Sequence, residues 1–461
     1  MIAAPSTPDG ARERVRHHVI IGTGIAALSA AEAIRDVDDR ARITMIGDED
    51  AGFYSRPALA YRLTGELPAE RLLIRTDAQI ELLRLERRVA RVNALLPEAH
   101  KLQLTDGHTL TYDTLLLATG AASTAPDFAG GSLDGVMRLD GLSDTEALIA
   151  RARTAKAAVV VGGGSTALEL VDGLHARGVP THYLLRGERY WSKVFDRVES
   201  AIVESRLTAR GVTLHRNTSI REALGVNGRL VGVRTNEGRT IPADLLAVAI
   251  GVRPRTELAR QAGLVVERGI RTNERLETSH DGIYAAGDCA QVYDPITRTA
   301  QLDTLWSSAL AQGRTAGYNM AGLGLVLRQH PPLNVTRVAG VTTTIIGAVG
   351  GAADPDLLTL TRGQSERWQL DPDAWSVGGT RHEDRLRVVV SGQRIVGAVV
   401  MGDQRVSVPL AHLIGEQVDI SALRPLLDAA PDDALDRLLA FCESHVHDPD
   451  GHRVTDPRSG R

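Results

Sequence analysis

An α/β fold built from two similar units, with a smaller α+β domain after them, is predicted by three observations in this chain. The first is a pair of glycine turns, Gly22-Thr23-Gly24-Ile25-Ala26-Ala27 and Gly162-Gly163-Gly164-Ser165-Thr166-Ala167. The second is their setting. Each follows a short β-branched run (Val19, Ile20, Ile21; Val159, Val160, Val161) and opens a segment of helical spacing, the context in which such a turn binds a dinucleotide. The third is the change to a β pattern after Pro331-Pro332, a boundary signal. In each turn the first glycine makes the bend, the second lets backbone approach a pyrophosphate, and a small third residue packs helix on strand. Two Rossmann-like units, and two nucleotide cofactors, are implied.

Taken in order, residues 18–47 read as strand, helix, strand, ending in Ile43-Thr44-Met45-Ile46 and then Gly47-Asp48-Glu49-Asp50. An acid at the end of that strand accepts hydrogen bonds from an adenosine ribose, or forms a solvated turn. Tyr54-Ser55-Arg56-Pro57 follows, then short strands around Leu102–Leu104 and Leu110, and a buried strand Leu115–Leu117 running into Ala118-Thr119-Gly120. The unit repeats as strand 157–161, helix from about 165 to 177, Gly178 as helix stop, and strand 181–185. Leu245–Ile250 is another apolar strand, closed by Gly251-Val252-Arg253-Pro254. Gly282 to Asp288 reads as a strand leading into a glycine turn with an acid. Trp306–Met320 reads as a helix with Ser307 and Ser308 as candidate caps. Beyond Pro332 come a strand Val341–Ile346 and a hairpin of Leu386–Val390 and Ile395–Val400 through Ser391-Gly392-Gln393-Arg394. A helix is expected over roughly Ser421–Ser444, then a disordered polar tail, 445–461. The tail histidines His445, His447 and His452 read as solvated, and no metal site is expected.

With 461 residues the chain exceeds one core and divides into domains. Its 53 basic and 57 acidic residues give a net charge of −4, which leaves no basic excess for nucleic acid. No run approaches the roughly 18 apolar residues of a membrane span. The opening segment Met1–His18 lacks the apolar core of a signal peptide, so a cytoplasmic location is expected. The two cysteines, Cys289 and Cys442, exclude a disulfide framework and a Cys-x-x-Cys relay.

The first fingerprint, Ala118-Thr119-Gly120, the second fingerprint, Gly251-Val252-Arg253-Pro254 and Ala286-Gly287-Asp288 form a series that resembles the pyridine nucleotide-disulfide oxidoreductase superfamily over residues 17 to about 322. The resemblance implies a glutathione-reductase-like arrangement. An FAD domain (15–125 and 252–330) is interrupted by an NAD(P) domain (126–251), and an α+β domain (331–444) follows. It implies that Gly22, Gly24, Ala27 and Asp48, with Glu49 as a substitute for Asp48, hold the FAD nucleotide. Arg56, Pro57, Thr119, Gly120, Gly287, Asp288 and Trp306 complete the FAD site. Gly162, Gly164, Ala167, Glu169, Arg186, Arg189 and Gly251 would hold NAD(P)H. Glu169 matches a glutamate near both rings, or is an exposed helix acid; Trp306 covers the flavin, or is a core aromatic. These two are the catalytic candidates.

Within that superfamily, Tyr54-Ser55-Arg56-Pro57, Leu333-Asn334-Val335-Thr336 and the run Leu305–Gly313 resemble the rubredoxin-reductase and nitrite-reductase flavoprotein branch. Asp48 to Leu63 holds no cysteine, so the redox disulfide and single-thiol patterns are absent. Where ferredoxin reductases commonly carry Pro-Pro-Leu-Ser-Lys, this chain has Pro57-Ala58-Leu59-Ala60-Tyr61. Tyr61 thus stands in place of a lysine. Arg186-Gly187-Glu188-Arg189 ends the strand that begins at Thr181. Arginine there suits a 2′-phosphate and favours NADPH over NADH, while Glu188 competes. The expected activity is hydride transfer from NAD(P)H to FAD and onward passage of electrons to a small redox protein or a partner reductase subunit. The alternatives are an oxidase or small-acceptor (quinone) reductase, and a flavin-bearing redox sensor.

Overall fold

The β-branched run before the first glycine turn is buried on both faces, as a central parallel strand requires. In the computed structural model, which describes residues 14–295, 297–350, 362–370, 373–381, 384–423, 425, 436–438, 440 and 441, His17–Ile21 lies in a five-stranded parallel sheet. Arg42–Gly47 and Thr114–Leu117 flank it, and Leu85–Val89 and Ile283–Ala285 form the edges. The outermost strand at one edge thus comes from far along the chain. The second unit repeats the plan: Ala158–Val161 lies between Thr181–Leu184 and Leu245–Val248, with Thr213–His215 and Val136–Met137 outside.

The two units are joined by two passes of chain that pair with each other. Ala121–Ser123 runs antiparallel to Val252–Pro254. Small antiparallel sheets attach to each unit: Val92–Leu96, Lys101–Leu104 and Thr109–Thr111 on the first, Ile220–Val226, Arg229–Thr235 and Thr240–Pro242 on the second. Beyond Pro332, five antiparallel strands follow in the order Leu333–Val338, Val341–Gly347, Arg394–Met401, Asp384–Ser391, Trp375–Arg381. Helix Ser407–Gly415 buries Leu410, Leu413 and Ile414 in the core of that sheet. The molecule is therefore α/β, with two Rossmann-like units and a smaller α+β unit. No helix among the described residues is long and apolar enough to cross a membrane.

Helix Trp306–Met320 forms with the expected bounds, but its cap is corrected. Leu305 is the N-cap and no side chain caps it. The Ser307 hydroxyl donates to the Leu333 carbonyl at 3.2 Å, and Ser308 donates to Asp303 at 2.7 Å, so neither serine serves the helix N–H groups. The strand expected to reach Ile250 ends at Val248. Most of the expected helix 421–444, Cys442, and the tail with its three histidines lie outside the described residues.

Candidate active site

The two fingerprints fold alike, and for one reason. Gly22 has φ +129°, and a Cβ there would stand 2.1 Å from the Ala118 carbonyl oxygen; Gly162 has φ +147°, and its Cβ would stand 2.2 Å from the Ala249 oxygen. Only glycine fits where the chain turns under the end of the neighbouring strand. Ala27 and Ala167 are buried, which lets each helix settle on its sheet. Gly24 differs. Its backbone is ordinary, φ −81°, and a Cβ there would meet no protein atom within 4 Å. The protein leaves that space open.

The open space belongs to a cavity of ≈ 1120 Å³. It is bordered by Gly22, Gly24, Asp48, Glu49, Arg56, Pro57, Thr119, Gly120, Glu169, Gly287, Asp288 and Trp306. Three helices, Ile25–Val37, Ser165–Ala176 and Trp306–Met320, begin at this cavity, and none has a side-chain cap. By contrast helix Arg197–Ala209 is closed by Asp196, whose carboxylate accepts from the Glu199 N–H at 2.8 Å. Free N–H groups at a helix start are an anion site. Three such ends on one cavity fit a ligand with several acidic oxygens.

Helices Ile25–Val37 and Trp306–Met320 reach the same cavity because they pack without intervening side chains. A Cβ on Gly313 would lie 2.1 Å from the Ala26 oxygen, and one on Gly317 2.3 Å from the Ala30 oxygen. That small-residue seam carries no fingerprint, yet it sets where Trp306 stands. Trp306 is half-buried, packed on the first unit's core and lining the cavity. Gln312 on the same helix accepts from the Gly287 N–H at 2.8 Å and so holds the Gly287-Asp288 turn.

The acids of the cavity have distinct surroundings. Asp48 is ion-paired with Arg91 at 2.9 Å, which holds its carboxyl below the usual range. Glu49 accepts from the Tyr54 hydroxyl at 2.8 Å and lies 3.6 Å from Arg56. Arg56 also donates to the Asp140 carbonyl at 2.8 Å and lies over the Tyr54 ring. Burial pushes the Asp288 carboxyl up, against the pull of Arg362 and Arg56. Glu169 is pushed up to about 7 by burial. Asp303, which no motif marks, sits beneath the start of helix Trp306–Met320. It accepts from the Leu305 N–H at 3.1 Å, Ser308 at 2.7 Å and Ser365 at 3.2 Å, and burial raises it to about 6.

Arg362 is a second residue that sequence reasoning missed. It enters the cavity from the C-terminal unit and bonds Asp140 at 3.0 Å, a contact between residues 222 positions apart that no local pattern signals. Tyr61 also lines the cavity.

Gly162, Gly164, Ala167, Arg186, Arg189 and Gly251 stand outside the cavity wall, although Ser165 and Thr166 of the second fingerprint line it. Arg186 is exposed beyond strand Thr181–Leu184. Arg189 is engaged instead with the carbonyls of Phe195 at 2.9 Å and Ser192 at 3.3 Å, and Glu188 is paired with Arg197 at 3.0 Å. Gly251, φ +122°, accepts from the Thr124 N–H at the crossover between units. Cys289 is buried, its Sγ–H directed to the carbonyls of Leu117 and Ala286, and burial raises its pKa. Such a thiol is inert rather than nucleophilic.

Comparison with known proteins accords with this geometry. The chain is 32% identical over 321 residues to rhodocoxin reductase of Rhodococcus erythropolis, covering 68% of this chain and 74% of that one. It is 31% identical over 357 residues to the biphenyl dioxygenase system ferredoxin–NAD(+) reductase component of Paraburkholderia xenovorans, covering 76% and 84%. The crystal structure of the covalent putidaredoxin reductase–putidaredoxin complex shares the fold, with a TM-score of 0.80 at 23% identity over 93% of this chain and 99% of that one. Residues 16–313 match the pyridine nucleotide-disulphide oxidoreductase family. The chain therefore belongs to that family and is an FAD-dependent NAD(P)H oxidoreductase.

Proposed function

We propose that the large cavity seats FAD, that the second fingerprint seats the nicotinamide dinucleotide beside it, and that electrons leave to a small redox protein. The observation that carries this reading is the convergence of three uncapped helix N-termini and the open space at Gly24 on one cavity. Residues 15–125 with 252–330 form the FAD unit, 126–251 the dinucleotide unit and 331–444 the third. Gly22, Gly24 and the start of helix Ile25–Val37 hold the pyrophosphate, and Asp48 or Glu49 the adenosine ribose. Asp288 holds the ribityl chain.

Bound there, FAD supplies the redox chemistry, accepting hydride from a reduced nicotinamide and passing electrons on. The start of helix Trp306–Met320 brings positive dipole charge to the cavity, where it stabilises the negative charge of a reduced ring. Trp306 and Pro57 line the same cavity and would keep water from a ring bound there. Arg186, exposed and with no partner among the described residues, is the residue that would recognise a 2′-phosphate and favour NADPH. The NAD(+) in the name of the Paraburkholderia relative supports NADH as the second reading.

The acceptor is a small iron–sulfur or rubredoxin-like protein, by likeness to relatives named as ferredoxin reductase components. The test is anaerobic stopped-flow mixing of the yellow holoenzyme with NADH or NADPH, then with a panel of ferredoxin, rubredoxin, quinone and oxygen. Fast re-oxidation by a redox protein is expected. Turnover with oxygen or quinone alone would make the protein an oxidase or quinone reductase, and a long-lived reduced complex with slow turnover would make it a sensor.

A further inference from the structure

Glu169 is an acid of the shared cavity with no partner of its own. It lies one turn into helix Ser165–Ala176, on the cavity wall. Among the described residues no hydrogen bond or ion pair reaches its carboxyl group. The cations around it are committed elsewhere. Arg362 bonds the Asp140 carboxylate at 3.0 Å and the carbonyls of Leu139 and Asp140. Arg337 is paired with Glu66, and Arg210 with Asp172 at 3.2 Å.

The remaining neighbours are two phenols, an acid and an imidazole. Helix Leu59–Thr64 contributes the phenol of Tyr61, and the segment after strand Thr181–Leu184 contributes Tyr190, whose buried hydroxyl has no hydrogen-bond partner among the described residues. Asp172 and His175 lie on the same helix and line the same cavity. Nothing in this set pins Glu169 in its charged form.

We propose that Glu169 is the specificity-determining group that distinguishes the oxidised from the reduced nicotinamide, and that it does so only as a carboxylate. The inference rests on the proposed seating of the dinucleotide at the second fingerprint. The oxidised ring carries a positive charge and the reduced ring none, so a carboxylate on a partly dry wall attracts the first and is indifferent to the second. A neutral carboxylic acid is indifferent to both. Burial raises the Glu169 carboxyl to about 7. At pH 6 the group is then mainly protonated, and at pH 8 mainly ionised. Affinity for the oxidised dinucleotide therefore rises with pH through this window, and its binding expels a proton.

The experiment titrates the oxidised holoenzyme with NAD+ and with the unreactive reduced analogue tetrahydro-NAD, following the flavin absorption band at pH 6, 7 and 8. NAD+ avoids the titration of a 2′-phosphate. In the native protein the Kd for NAD+ is expected to fall about fivefold from pH 6 to 8, the change that a one-unit drop from about 7 on binding produces over that range, while that for the analogue stays level. Glu169→Gln should abolish the pH dependence. Tyr61→Lys should also flatten it, by holding Glu169 ionised throughout. His175→Gln should leave it in place.

A pH dependence that survives in Glu169→Gln, or that is shared by the reduced analogue, overturns the proposal. Gly163→Asp separates this failure from failure of the seating, because its side chain enters open space and repels a pyrophosphate there. If that variant, with FAD retained, binds NAD+ as the native protein does, the seating itself is wrong. If it loses NAD+ while Glu169→Gln keeps the native pH profile, only the role of Glu169 is wrong.

Discussion

Gly24 and Arg186 are the two residues at which single side chains test the ligand assignments. Gly24 has no protein neighbour to clash with, so Gly24→Val should fold, as read by circular dichroism, yet purify without the yellow FAD band because its side chain occupies the phosphate path. Full flavin occupancy in that variant would remove the first fingerprint from the FAD site. Arg186 is exposed and has no partner among the described residues, while Arg189 is spent on backbone carbonyls. Arg186→Ala should therefore weaken NADPH binding by about 1–3 kcal/mol, the worth of a hydrogen bond to a charged group, and leave NADH unchanged. Equal losses for the two would end the preference for NADPH. The residues of both fingerprints were legible in sequence because their conformations are local. Arg362 and Asp303 were not, because their partners are brought to them by the fold.

Among the elements, the seam between helices Ile25–Val37 and Trp306–Met320 decides how the first unit meets the cavity. Gly313 and Gly317 allow backbone contact with Ala26 and Ala30, and the uncapped starts of both helices reach the cavity together. Gly317→Val should push the helices apart at a cost of about 1–3 kcal/mol, typical of overpacking, and weaken FAD binding at the same time. Thermal unfolding with flavin release as the second signal checks both. An unchanged midpoint with full FAD retention would show that the seam tolerates spreading. The bounds of helix Trp306–Met320 could be read from its own residues. Its cap could not, because the two serines near its start are drawn to Leu333 and Asp303 rather than to the helix.

Across the whole molecule, the second Rossmann-like unit is bound to the C-terminal sheet by a buried ion pair. Arg387, 5% exposed, meets the fully buried Glu199 at 2.8 and 3.1 Å and also donates to the carbonyls of Val194 and Val349. Trp191 and Trp368 pack edge to face beside it, 6.2 Å between centroids. Glu199→Ala leaves the buried guanidinium with only the more distant Asp196 carboxylate, 3.9 Å away, and should cost about 3–5 kcal/mol, whereas replacing both Arg387 and Glu199 by Met should cost much less. Urea unfolding of the holoenzyme measures the difference. Equal destabilisation by the single and double variants would mean that the pair acts through packing alone.

The chain by itself determined the α/β class, the two glycine turns, the redox-protein family and part of the cavity's lining. Each depends on short-range constraints: β-branched runs that must be buried, and glycines forced by positive φ and close backbone approach. What the tertiary structure alone decided is which groups share one space. It brought the starts of three helices to one cavity, committed Arg189, Arg337 and Arg362 to other partners, and left Glu169 alone. Those outcomes depend on distances between residues tens to hundreds of positions apart, and electrostatic character follows such distances rather than residue type.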